Sequence, residues 1–154
     1  TWDEIDLQAK TWTIPGERMK AGKDHRVPLS PAAVALLKAL PRLEGNDHVF
    51  AAPRGGMLSD MTLSAVCRRM GVDAVPHGFR STFRDWCSER TNYPREVAEQ
   101  ALAHTISNAV EAAYRRGDLL EKRRTLMAAW ADYCTKPAGK PATVTPIRGR
   151  ARGR

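Results

Sequence analysis

From Leu119 to Cys134 the apolar residues Leu119, Leu120, Leu126, Met127, Trp130 and Cys134 recur at close to 3.6-residue spacing. That spacing predicts a helix with one apolar face, and such a face has to be covered. It is read as the last core helix, with docking on a partner as the other possibility. The rest of the chain must supply the cover in short pieces, because Pro and Gly interrupt it repeatedly. Ser30-Pro31 opens a helix, with Ser as the N-cap and Pro in the first turn. It runs through Val34, Leu36, Leu37 and Leu40 and stops at Pro41. Ser59 is expected to cap a second helix, with Met61, Leu63, Val66, Cys67 and Met70 on its buried face and Gly71 at its end. Pro76 leads into a helix from His77 to near Arg90, with Phe79, Phe83, Trp86 and Cys87 turned inward. Pro94 to Ala103 and Ala109 to Arg116 read as two more helices. Ahead of them, Thr1 to Pro15 reads as strand, turn and strand. Arg26-Val27-Pro28-Leu29 reads as an edge strand, since Pro28 cannot donate to a ladder. The expected fold class is mainly α with a small antiparallel β-sheet (α+β).

At 154 residues the length suits one domain. No apolar run is long enough to span a membrane, so no membrane partner is expected. Cys67, Cys87 and Cys134 are far apart, and no CxxC pair occurs. They are read as reduced, semi-buried thiols of a cytoplasmic protein, with no metal site. The net charge is +8, of which the stretch from Lys136 to Arg154 supplies +6. Residues 136–154 are rich in Pro, Gly and Arg and cannot pack a core. They are expected to form a disordered basic tail able to touch phosphates non-specifically, beside a folded domain of residues 1–135. The chain opens on Thr-Trp-Asp with no Met, which reads as part of something longer.

His77 and Arg80 stand three apart, which places an imidazole and a guanidinium on one helix face. Taken alone, the pair fits an incidental surface turn equally well. His104 at a helix end is by itself a dipole-favoured histidine, and Tyr114 by itself a core residue. Arg115 and Arg116 could be an exposed basic face. Arg18, Lys20 and Lys23 belong to a basic turn between strands, where solvation is the usual fate of such residues. Tyr93 before Pro94 reads as structural, Tyr133 as packed, and His25 and His48 as solvated.

The ordered set is more specific than any member. Met19-Lys20 stands eight residues before Val27-Pro28-Leu29-Ser30. His77-Gly78-Phe79-Arg80, Leu102-Ala103-His104 and Ala112-Ala113-Tyr114 follow, and Trp130-Ala131-Asp132-Tyr133 closes the series. In these motifs the stretch from Thr1 to about Cys134 resembles the C-terminal catalytic domain of tyrosine recombinases, most closely phage and prophage integrases. The resemblance implies that Tyr114 attacks a DNA phosphate, forming a 3′-phosphotyrosyl link and releasing a 5′-hydroxyl, with no cofactor and no metal. It implies that Arg80 stabilises the non-bridging oxygens, Lys20 protonates the leaving oxygen, His77 assists proton transfer and His104 donates to the phosphate. Lys23 is the rival for the Lys20 role. Arg18, Lys23, Arg115 and Arg116 are expected on DNA. The implied partners are double-stranded attachment sites and, for a full-length member, three further copies in a tetramer. The family has one more catalytic arginine before the first strand, which this sequence does not contain. An incomplete catalytic domain is therefore expected.

Two other readings stay open. One is a non-catalytic DNA-binding remnant of a decayed integrase. The other is a type IB topoisomerase, which would relax supercoiled DNA without site preference.

Overall fold

The computed structural model describes residues 1–104 and 117–136. Three strands come first: β1 (Ile5–Asp6), β2 (Thr11–Ile14) and β3 (His25–Pro28). They form one antiparallel sheet in the order β1-β2-β3. Asp6 shapes the first turn: its Oδ1 accepts from the backbone N–H groups of Gln8 (2.9 Å) and Ala9 (2.7 Å). Pro28 pairs with Thr11 at the end of the edge strand, where a missing donor is tolerated.

The loop joining β2 to β3 is closed on itself. Asp24 Oδ1 accepts from Gly16 N–H at 2.8 Å, and a Cβ on Gly16 would lie 2.8 Å from the Gly22 carbonyl oxygen. Only glycine allows that approach. Glu4, at the end of a short 3-10 turn (Trp2–Glu4), holds the base of this loop. It accepts from the Trp12 indole at 2.9 Å and the Thr1 hydroxyl at 2.8 Å, and it pairs with Arg18. Burial opposes its charge, but the Trp12, Thr1 and Arg18 contacts prevail and hold its pKa at about 2.

Five α-helices follow among the described residues. In α1 (Pro31–Ala39) the Ser30 hydroxyl accepts from Ala33 N–H at 3.2 Å, as expected for the N-cap. Val34 and Leu37 of α1 bury with Leu29, against partly buried Trp2, Ile5 and Trp12 of the sheet region. A second core lies between α3 (Gly78–Arg90), α4 (Arg95–Ala101) and α5 (Leu120–Thr135). It contains Phe83, Trp86, Cys87, Val97, Ala98, Leu102 and Leu126. Trp130 sets its ring edge-on to Phe83 at 5.3 Å and stacks with Tyr133 at 5.6 Å. Tyr93 also packs against this core. The helix read from the sequence at its C-terminal end is therefore a core helix, at α5.

Four expectations are corrected. In α2 (Thr62–Arg69) only Cys67 is buried, whereas Met61, Leu63 and Met70 are exposed. Neither hydrophobic core includes a residue of this short helix, so its other apolar residues lack cover. Phe79 is likewise exposed, in the first turn of α3 before that helix reaches the core. Ser59 is not the N-cap, since the helix starts three residues later and the Ser59 hydroxyl contacts Thr62 Oγ1 at 3.2 Å instead. All three cysteines are free thiols, and Cys134 is exposed rather than semi-buried. No described helix is long and apolar enough to cross a membrane.

One charged residue ties sheet and helices together. Arg123, on α5, is 0% exposed. Its Nη1 donates to the Arg26 carbonyl at 2.6 Å and its Nε to the Asp118 carbonyl at 2.7 Å. Nη2 stands 3.2 Å from the Asp118 carboxylate without hydrogen-bond alignment. Burial lowers the Arg123 pKa, and the Asp118 carboxylate opposes that. Asp118 also pairs with the Arg26 guanidinium at 2.8 Å. Asp118→Ala leaves the buried guanidinium without its counter-charge. It is expected to destabilise the chain by about 3 kcal/mol, or roughly 6–12 °C in melting temperature. Thermal melts of Asp118→Ala, Arg123→Met and the double variant measure this. Additive losses would show that the pair is not coupled.

Candidate active site

The C-terminal end of α4 fixes two of the polar residues singled out in the sequence. After Ala101 the chain turns with Ala103 in the left-handed conformation, φ 53°. Ala103 N–H donates to the Gln100 carbonyl at 3.1 Å and His104 N–H to the Glu99 carbonyl at 2.9 Å. This is the paired closure that usually places glycine at the left-handed position. An alanine there costs about 1 kcal/mol, strain stored where His104 is positioned.

The His104 side chain folds back on its own helix, with Nδ1 2.5 Å from Glu99 Oε2. Glu99 Oε1 accepts from Arg84 Nε at 2.7 Å, so α3 braces the carboxylate. The His104 hydrogen bond and Arg84 hold Glu99 below the ordinary carboxylate range, against burial, which would raise it. The charged carboxylate thus fixes the imidazole through Nδ1 and leaves Nε2 as its second polar atom. Arg80 is anchored to the same helix end, its Nη2 donating to the Leu102 carbonyl. Glu99 gave no signal in the sequence, because its role depends on a helix stop that folds residue 104 back over residue 99.

Beside this helix end lies a cleft of ≈ 270 Å³. On one side it is lined by Met19, Ala21, Lys23, His25 and Arg26 of the sheet region. On the other it is lined by Gln100, Ala103, His104 and Asp118. Asp24 also reaches the lining, but its carboxylate is committed to Gly16, and Asp118 to Arg26 and Arg123. The lining thus sets Lys23 and Arg26 against Asp24 and Asp118, with two imidazoles, His25 and His104, beside them; Arg80 is not part of it.

The predicted site residues fall in different places. Lys23 and His104 line the cleft. Lys20 is exposed in the turn between Met19 and Ala21, both of which line it. His77 is exposed at the start of α3, one turn before Arg80, and it is not part of the lining. Arg18 is committed to Glu4. Tyr114, Arg115 and Arg116 lie outside the described residues, as does the tail from residue 137. His25, read from the sequence as solvated, is instead half-buried in the cleft wall. The neighbours that enclose it are remote in sequence.

The sequence profile of the phage integrase family matches residues 1–119. The chain belongs to that family. Among curated relatives it is 40% identical over 136 residues to the prophage integrase IntA of Escherichia coli K12, covering 85% of this chain and 33% of that protein. It is 32% identical over 152 residues to the integrase of Enterobacteria phage P4, covering 86% and 35%. It is 30% identical over 113 residues to the tyrosine recombinase XerC of Xanthomonas campestris strain B100, covering 68% and 34%. This integrase-family chain thus spans about a third of the length of these relatives. No solved structure matches it. Membership in the family accounts for the mainly helical fold with its three-stranded antiparallel sheet.

Proposed function

We propose that this chain supplies the chemistry of a site-specific DNA recombinase acting through a 3′-phosphotyrosine intermediate. The observation that carries the reading is the shared anchorage of Arg80 and His104 on one helix end, beside a cleft whose lining includes His104, His25 and Lys23. Phosphoryl transfer asks a protein mainly to position groups and to stabilise charge. The Tyr114 oxygen attacks the phosphorus while the bond to the 5′-oxygen breaks. The DNA 3′ end becomes a phosphotyrosine, and the ester keeps the bond energy for rejoining. Arg80 presents two N–H groups to the non-bridging oxygens. His104, its Nδ1 held by Glu99, donates through Nε2 when the ring carries both protons. His77 assists removal of the phenolic proton, which a group of pKa about 10 needs. A lysine of the β2–β3 loop protonates the leaving 5′-oxygen. We assign this to Lys20, with Lys23 as the rival.

The partners proposed are double-stranded attachment sites, contacted also by Arg115, Arg116 and, non-specifically, by the basic tail, with four copies in the recombining assembly. We further propose that residues 1–154 alone cleave poorly. Around the cleft Arg26 and Arg123 are committed to Asp118, and Arg84 to Glu99. The reading rests on the family resemblance, in which one more arginine completes the phosphate clamp.

The test is covalent trapping on a nicked duplex carrying the attachment site. It compares this chain, an upstream-extended chain, and the extended chain with Lys20→Ala or Lys23→Ala. Expected is an adduct from the extended chain, with cleavage by Lys20→Ala slowed about 10²–10⁴-fold. A duplex with sulfur at the 5′ bridging position should restore the rate, since a thiolate leaves without a proton. Rescue of Lys23→Ala instead would move the acid to Lys23. Absence of any adduct on a site that the extended chain binds would refute the recombinase chemistry.

A further inference from the structure

His25 begins the edge strand β3, opposite Ile14, and lines the same cleft as Lys23 and His104. It is half-buried, whereas its neighbours Asp24 and Arg26 are exposed. We propose that His25 is a further phosphate-binding residue of this cleft, an imidazole whose N–H donates to a backbone phosphate of the DNA. The inference rests on the reading of the cleft as the site of phosphoryl transfer, and it adds a group that none of the sequence motifs includes.

The surroundings favour a neutral ring. Burial lowers its pKa first, then the Arg123 guanidinium of α5, with Arg80 of α3 adding to the effect. Asp118 opposes them, but its carboxylate is shared between Arg26 and Arg123. The loop adds Lys23, while its Asp24 carboxylate accepts from Gly16. Across the cleft stands His104, held by Glu99. A bound anion reverses this balance by favouring the charged ring. The sign follows: His25 is neutral at neutral pH without anion, and an anion in the cleft raises its titration midpoint. Below that midpoint the ring adds a positive charge and anion binding tightens.

Sulfate is a suitable probe because it does not itself titrate in this range. The chain has four histidines, so imidazole NMR resolves each of them during pH titrations with and without sodium sulfate. Expected is a rise of about one pH unit in the His25 midpoint with sulfate, and no change at His48, which lies outside the cleft. In duplex-DNA binding at pH 7, His25→Ala is expected to weaken affinity about tenfold. His25→Gln keeps a donor that does not titrate. It is expected to bind nearly as the parent at pH 7 and to lose the extra tightening below pH 6. A residue that merely supports the strand would not move the pH dependence. If sulfate shifts His104 but not His25, the proposal fails while the cleft reading stands. If sulfate shifts neither and duplex DNA does not bind, both fail.

Discussion

Tyr114→Phe in the upstream-extended chain is expected to leave no covalent protein–DNA adduct while duplex binding stays within about threefold. Removing the proposed nucleophile removes the bond-forming atom, so the loss should reach the detection limit, at least about 10⁴-fold. The two other tyrosines have neighbours elsewhere, although Tyr133, read from the sequence as packed, is 47% exposed. Tyr93 lies against the α3–α4–α5 core, and Tyr133 stacks on Trp130 at 5.6 Å with Trp86 at 5.7 Å. Neither lines the cleft. Tyr93→Phe and Tyr133→Phe should therefore form adduct like the parent. Mass spectrometry of the trapped peptide assigns the linkage directly. An adduct on Tyr133, or one that survives Tyr114→Phe, would overturn the assignment.

Arg80→Ala should carry the second largest effect. Loss of a donor aimed at developing charge on a transferring phosphoryl group costs about 10²–10³ in rate. Here the arginine also donates to the Leu102 carbonyl, two residues before His104, so its loss loosens the helix end that sets His104. Arg80→Lys tests which part matters. It keeps the charge but loses the planar fork that can bind a carbonyl and a phosphate together. Arg80→Lys should therefore recover less than a tenth of the parent single-turnover rate, with melting temperature close to the parent. Recovery of most of the rate would mean that a point charge suffices.

The legible features are those whose cause is local. Ser30 and Pro31 sit where their own geometry makes a helix start, and Ser30 caps Ala33 N–H as expected. The apolar recurrence from Leu119 to Cys134 marks a core helix, because period 3.6 is a property of the chain itself. The motif order was enough to place the chain in its family. The same local logic failed at α2. An apolar stripe states a need for cover, not where the cover comes from, and Met61, Leu63 and Met70 are left exposed.

By itself the sequence determined the order of the described elements, the edge strand at Pro28, the integrase family and the identities of the candidate groups. Tertiary structure decided which of those groups meet. It put His25 into the cleft wall, joined Glu99 to His104 across a left-handed Ala103, and buried Arg123 between Asp118 and the carbonyl of Arg26. The physical reason is range. Capping and periodicity act over a few residues, whereas the charge on His25 depends on Arg123, and that guanidinium is buried against a carbonyl 97 residues away along the chain.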